Sequence, residues 1–136
     1  MKKLLSLLLC LALCLSCAPA YAAAEPQVFT SGDCHYIELP DGSAEITWYF
    51  GRAESLTIPA ALYWHAVTSI GDWAFRYSSG LKSVTIPDSV TAIGKDAFRE
   101  CTHLTLIVKR GSCAAEYCKE NGLDFTFADL GDWLNN

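Results

Sequence analysis

The chain has 136 residues, 51% of them hydrophobic and 18% charged, and its 10 basic residues face 15 acidic ones for a formal net charge of −5. That length suits one domain. Lys109-Arg110 is the only adjacent basic pair beyond the first three residues, so the basic stripe required for nucleic-acid binding is missing and an anionic membrane surface is disfavoured.

Residues 1–24 are read as a secretion signal. Lys2 and Lys3 form a charged start, residues 4–15 an apolar run, and Ala18-Pro19-Ala20-Tyr21-Ala22-Ala23-Ala24 a small-residue exit. The apolar run is shorter than the about 20 residues of a membrane span, and no later segment is long enough or free enough of charge, so no membrane span is expected. Cleavage after Ala22 or Ala24 leaves 114 or 112 residues, with 8 basic against 15 acidic side chains and a net charge of −7. Lipoprotein processing is the rival reading because Cys10, Cys14 and Cys17 lie in or beside the apolar run. It fits less well: Cys17 has Cys14 where a branched apolar residue belongs, and Cys14 follows bulky Leu13.

Next in the chain, Asp41-Gly42 stands between Tyr36-Ile37-Glu38-Leu39 and Ala44-Glu45-Ile46-Thr47, which signals a β-hairpin. An internal repeat follows. Ile70-Gly71-Asp72-Trp73-Ala74-Phe75 recurs as Ile93-Gly94-Lys95-Asp96-Ala97-Phe98, a shift of 23, and Val67-Thr68-Ser69 matches Val90-Thr91-Ala92 at the same shift. Leu56-Thr57-Ile58-Pro59 matches Val84-Thr85-Ile86-Pro87 at a shift of 28, so the first unit carries five extra residues, within residues 60–66. Periods of this size belong to stacked repeats, in which each unit buries its apolar face only against its neighbours. Within a unit, Ser83-Val84-Thr85-Ile86 alternates, directing Val84 and Ile86 inward. Val90-Thr91-Ala92-Ile93 alternates across the coil, Gly94 allows a tight corner, and Ala97 and Phe98 fill the interior from a short helical turn. The shifts place strands near residues 56–58, 84–86 and 104–108 side by side and parallel.

The run from Val84 to Phe98, Val-Thr-Ile-Pro-x-Ser-Val-Thr-x-Ile-Gly-x-x-Ala-Phe, resembles the BspA-like bacterial leucine-rich repeats. Two copies of Ile-Gly-x-x-Ala-Phe in one register, each after a Thr-Ile-Pro strand, make the resemblance specific, and it covers roughly residues 32–127. It implies an α/β repeat solenoid: a short right-handed coil with parallel strands, an N-terminal β-hairpin cap over residues 25–55, repeats over residues 56–110, and a C-terminal cap of helix, strand and short tail over residues 111–136. Gly111-Ser112-Cys113-Ala114-Ala115-Glu116-Tyr117-Cys118 resembles the family's closing helix, with Gly122 suited to its stop. The chain departs from the family in size, with two clear motif copies and a decayed one at residues 104–108.

Four cysteines follow the signal. Cys34, Cys101, Cys113 and Cys118 suit either disulfides in an exported chain or small apolar packing. Cys113 and Cys118 lie about 140° apart around a helix, too divergent to bridge each other. His35, His65 and His103 lack metal-ligand spacing, and Cys34 and His35, adjacent on a strand, point to opposite faces. No nucleophile elbow, phosphate loop or paired carboxylates are present. Neither catalysis, a metal nor a cofactor is expected.

Aromatic residues are the candidate binding groups. Tyr63 and Trp64 occupy the five-residue expansion, while Trp73 and Tyr77 stand where the next unit has Asp96 and Glu100. Polar equivalents imply exposure, since carboxylates are not buried without partners; the alternative is that the expanded loop covers the rings. The expected activity is a non-enzymatic protein-binding or adhesion module, exported and either free outside the cell or held at its envelope. A carbohydrate-binding module using the four aromatics, and a stable structural repeat without its own ligand, are the alternatives. The expected partner is an extracellular or surface protein, with a glycan second.

Overall fold

The structure is a computed structural model that describes residues 25–128. The secretion signal expected at residues 1–24 lies outside the described residues, as do residues 129–136.

Among the described residues, ten strands and one helix follow in chain order: β1 (Val28–Ser31), β2 (Cys34–Glu38), β3 (Ala44–Tyr49), β4 (Ser55–Thr57), β5 (Ala61–Leu62), β6 (His65–Ile70), β7 (Ser83–Thr85), β8 (Ala92–Ile93), β9 (Thr105–Val108), α1 (Cys113–Asn121) and β10 (Asp124–Phe127). They stack in two columns. One is the four-stranded sheet β10-β9-β7-β4, and every neighbouring pair in it is parallel. Leu56 sits opposite Val84 and Val84 opposite Leu106, so the 28-residue repeat survives as register while the next step shortens to 22. In the other column β3, β6 and β8 run parallel, with Ile46, Ile70 and Ile93 in line. Before them, β1, β2 and β3 form an antiparallel meander joined by turns at Gly32 and Gly42, both at positive φ.

Alternation explains the core. Val84, Leu106 and Val108 are buried from one column, and Ile46, Val67 and Ile70 from the other. Between the columns stands a file of rings. Tyr49 stacks on Phe75 at 5.3 Å and Phe75 on Phe98 at 5.0 Å, and Tyr117 of α1 meets Phe98 edge-on at 6.3 Å. Phe75 is wholly buried and Phe98 nearly so.

The segments holding these phenylalanines are not the helical turns that the spacing suggests. Trp73 and Tyr77 have φ of 57° and 62°, and their equivalents Asp96 and Glu100 have 52° and 62°. This backbone turns alternate N–H groups toward the next coil: residues 73, 75 and 77 donate to the carbonyls of residues 95, 97 and 99 at 2.8–3.1 Å. The ladder therefore continues around the corner as well as through the strands. Gly94 also differs from expectation. It is not at positive φ, but a Cβ there would lie 2.4 Å from the Asp72 nitrogen and 2.7 Å from the Gly71 carbonyl carbon. Its role is close approach between coils.

After β9 the helix takes the place of another coil. Ser112 caps it by accepting from the Ala115 N–H, and Gly122, at φ 64°, ends it by donating to the Cys118 carbonyl. The Tyr117 hydroxyl accepts from the Ala97 N–H at 3.2 Å, standing in for the carbonyl that a following coil offers. Among the described residues, no helix is long and apolar enough to cross a membrane.

Candidate functional site

The five extra residues of the first unit build a projecting hairpin. β5 pairs antiparallel with β6, Leu62 opposite His65, leaving Tyr63 and Trp64 as a two-residue tip. Leu62 is buried beneath it, and the Val67 N–H donates to the Ala60 carbonyl at 2.9 Å. The His65 Nδ1 hydrogen-bonds the Gly42 carbonyl at 2.8 Å, tying the hairpin to the β2–β3 turn. Among the described residues nothing covers the tip: Tyr63 is 68% exposed and Trp64 85%. Tyr63 has φ 54°, a conformation that glycine adopts freely and a bulky residue holds at a cost of roughly 1–2 kcal/mol.

The tip overhangs a cleft of about 270 Å³ lined by Phe29, Thr30, Tyr36, Tyr63, Trp64 and His65. Phe29 stacks on Tyr36 at 5.4 Å, while Tyr63 and Trp64 meet edge-on at 5.9 Å. This is a largely apolar concavity with a few polar atoms at its rim, the ordinary composition of a binding site. Phe29 was not among the residues singled out from the sequence. Its strand was legible, because Val28-Phe29-Thr30 precedes a Ser31-Gly32-Asp33 turn signal and a second β-forming run.

Trp73 and Tyr77 lie elsewhere. Arg76 joins them, its guanidinium carbon 5.8 Å from the Trp73 ring and 4.5 Å from the Tyr77 ring, and it donates to the Tyr77 hydroxyl at 2.8 Å. The rings are 47% and 60% exposed. Among the described residues no ring contact links this pair to Tyr63 and Trp64, so the four candidate aromatics fall into two groups. Sequence comparison between units located Trp73 and Tyr77 but not the left-handed backbone that points their side chains outward.

The four described cysteines are free thiols. Burial, with a smaller contribution from Asp33, pushes the Cys34 thiol up to about 11, and burial pushes Cys118 up to about 11. Cys101 is also raised by burial, and its Sγ donates to the Phe75 carbonyl at 3.1 Å. These are packed side chains with suppressed thiolate character. Among the described residues, no group of three His, Cys, Asp or Glu side chains is placed to hold a metal ion.

The pattern described as "BspA type Leucine rich repeat region (6 copies)" matches residues 44–116. Among solved structures, a leucine-rich cell surface protein from Faecalibacterium prausnitzii superposes with a TM-score of 0.59 at 35% identity, over 80% of this chain and 32% of that one. A leucine-rich repeat protein from Bacteroides capillosus gives 0.54 at 28% identity, over 60% of this chain and 70% of its own. The Treponema pallidum leucine-rich repeat protein, at 21% identity and 0.57 over 76% of this chain and 55% of its own, shares the fold. The chain thus spans about a third of the Faecalibacterium protein's length. No curated protein matches the sequence.

Proposed function

Because the chain belongs to the BspA-type leucine-rich repeat family, we propose that it is exported through residues 1–24, cleaved after Ala22 or Ala24, and acts outside the cell or at its envelope as a non-enzymatic protein-binding or adhesion module. One observation carries the reading. The first coil departs from its own repeat by five residues, and those residues hold a bulky side chain in left-handed backbone to present Tyr63 and Trp64, both unburied, over an aromatic cleft. Strained, exposed aromatics on a rigid stack are unfavourable for folding and suit the anchor role that Trp and Tyr fill at protein interfaces.

Capture of extracellular or surface proteins by the immobilised processed chain, compared with Trp64→Ala and Tyr63→Gly variants, tests it. Loss of about tenfold or more in retention is expected for Trp64→Ala with an unchanged melting temperature. Equal retention by both variants sinks the assignment.

A glycan-binding reading stands second, favoured by aromatic faces beside polar rims at both surfaces. We also infer that the coil is right-handed, with the meander over residues 25–55 and the helix and strand that follow residue 110 covering its ends. The parallel crossovers from β4 to β7 and from β7 to β9 support the hand, since such connections are right-handed in nearly all proteins. A crystal structure with a left-handed crossover would overturn it.

A further inference from the structure

The sheets end in strands of unequal protection. β5 and β8 have two residues each and β4 three. β10 opens on Asp124 and has the Arg110 guanidinium carbon 4.3 Å from the centre of its Phe127 ring. β1, Val28-Phe29-Thr30-Ser31, has neither the shortness, the charge nor the proline that ordinarily blunt an edge. It pairs with β2 alone, and Val28 and Phe29 are both exposed. The two-residue turn Gly32-Asp33 closes its hairpin on the Ser31–Cys34 pair, which such turns leave hydrogen-bonded. Antiparallel alternation then turns the N–H and C=O groups of Val28 and Thr30 away from β2, where no main-chain partner meets them among the described residues. Two hollows adjoin this edge, and Phe29 lines both: the aromatic cleft under Tyr63 and Trp64, and a depression of about 570 Å³ that takes in Leu39 and the acidic residues Glu25 and Glu38. The Glu38 Oε1 stands 4.0 Å from Nδ1 of His65, a cleft residue, so the hollows are neighbours. No lysine or arginine lines either of them.

Resting on the protein-binding reading of the Tyr63-Trp64 cleft, we propose that the partner docks an extended, basic segment as a further strand on the free edge of β1. One apolar side chain of that segment fills the cleft, and a lysine or arginine two residues away meets Glu38 and Glu25. Tyr36, in the cleft, and Glu38, in the depression, are two residues apart on β2, the spacing at which side chains of an added strand share a face. Main-chain pairing supplies affinity in such complexes, and the alternate side chains supply selectivity. The carboxylates beside the edge and the negative charge of the whole chain favour a basic segment over an acidic one.

The probe is the peptide acetyl-Thr-Lys-Thr-Phe-Thr-Lys-Thr-amide, symmetric so that either strand direction places Lys two residues from Phe. In titration calorimetry with the processed chain it should bind about tenfold more tightly than analogues with Ala for Phe or Glu for Lys. N-methylation separates main-chain pairing from side-chain contact. Methylated either at Phe and both Lys or at the two Thr beside Phe, one peptide should lose about tenfold or more in affinity and the other little. Val28→Pro, which removes an outward N–H at an exposed edge position, should abolish binding with an unchanged melting temperature, while Val28→Thr retains it. Because N-methylation leaves the protein untouched, the test stands even where Val28→Pro disturbs the fold. Equal effects of the two N-methylated peptides, or full binding to Val28→Pro, overturn strand addition; if Trp64→Ala still weakens capture of surface proteins, the protein-binding reading survives without it. No binding at about 1 mM peptide overturns the proposal as well. Dimerisation of the processed chain that Val28→Pro abolishes would give the edge to a second copy and likewise defeat the partner strand.

Discussion

Phe98 shows most directly what a single side chain contributes, because it touches Phe75 on one side and Tyr117 on the other. Removing its ring opens a cavity that neither neighbouring layer can close without breaking its own ladder. Phe98→Ala should therefore cost about 3–5 kcal/mol in urea unfolding, with exposed Lys95→Ala as the near-neutral control. Tyr63 should behave in the opposite way. At φ 54° and 68% exposed, its replacement by glycine relieves backbone strain and loses little packing, so Tyr63→Gly is expected to leave stability equal or about 0.5–1 kcal/mol higher. The thiols give a pH prediction. Cys34 and Cys118 are raised from an ordinary value of 9.0 to about 11 in the folded state, so their contribution to stability is complete below pH 9 and is lost as pH rises through about 11. At pH 8 they should resist a disulfide reagent until urea is added; rapid modification of all four described cysteines in the folded protein would contradict the burial argument.

Among the elements, the coil corner is the most informative. Two glycines in equivalent places invite the reading that each permits a turn, yet Gly94 is needed because the preceding coil's backbone occupies the space of its Cβ. Gly94→Ala should destabilise by about 1–3 kcal/mol through overpacking, measurable in the same unfolding series. Such a constraint is invisible to one unit read alone, since it arises only when coils are stacked. The β2–β3 hairpin, the parallel strands and α1 were legible because each has a local signature: Asp41-Gly42, alternating Val84 and Ile86, Ser112 and Gly122 at the helix ends. The β5–β6 hairpin was not. Its tip places Tyr63 where turn chemistry favours glycine, and no rule of local preference predicts a residue held against its preference. The candidate aromatics were legible individually, by comparison between units; their division into two groups depends on which way each corner projects.

At the scale of the whole molecule, stability should be distributed as in a one-dimensional array, with each coil stabilised through its interfaces with neighbours. Insertion of a second copy of residues 72–94 directly after Gly94 repeats a complete register step and should raise the melting temperature; a lower one would show that the coils are not interchangeable. The ring file has a further consequence, for spectroscopy. Phenylalanine and tyrosine occupy the axis, whereas the described tryptophans, Trp48, Trp64 and Trp73, are 44%, 85% and 47% exposed. Native tryptophan emission should already be close to that of indole in water and should shift little on denaturation. Loss of the stacked axis, by contrast, should remove the near-ultraviolet dichroic bands of tyrosine and phenylalanine together, so cooperative unfolding of this protein should be nearly silent in fluorescence and plain in circular dichroism.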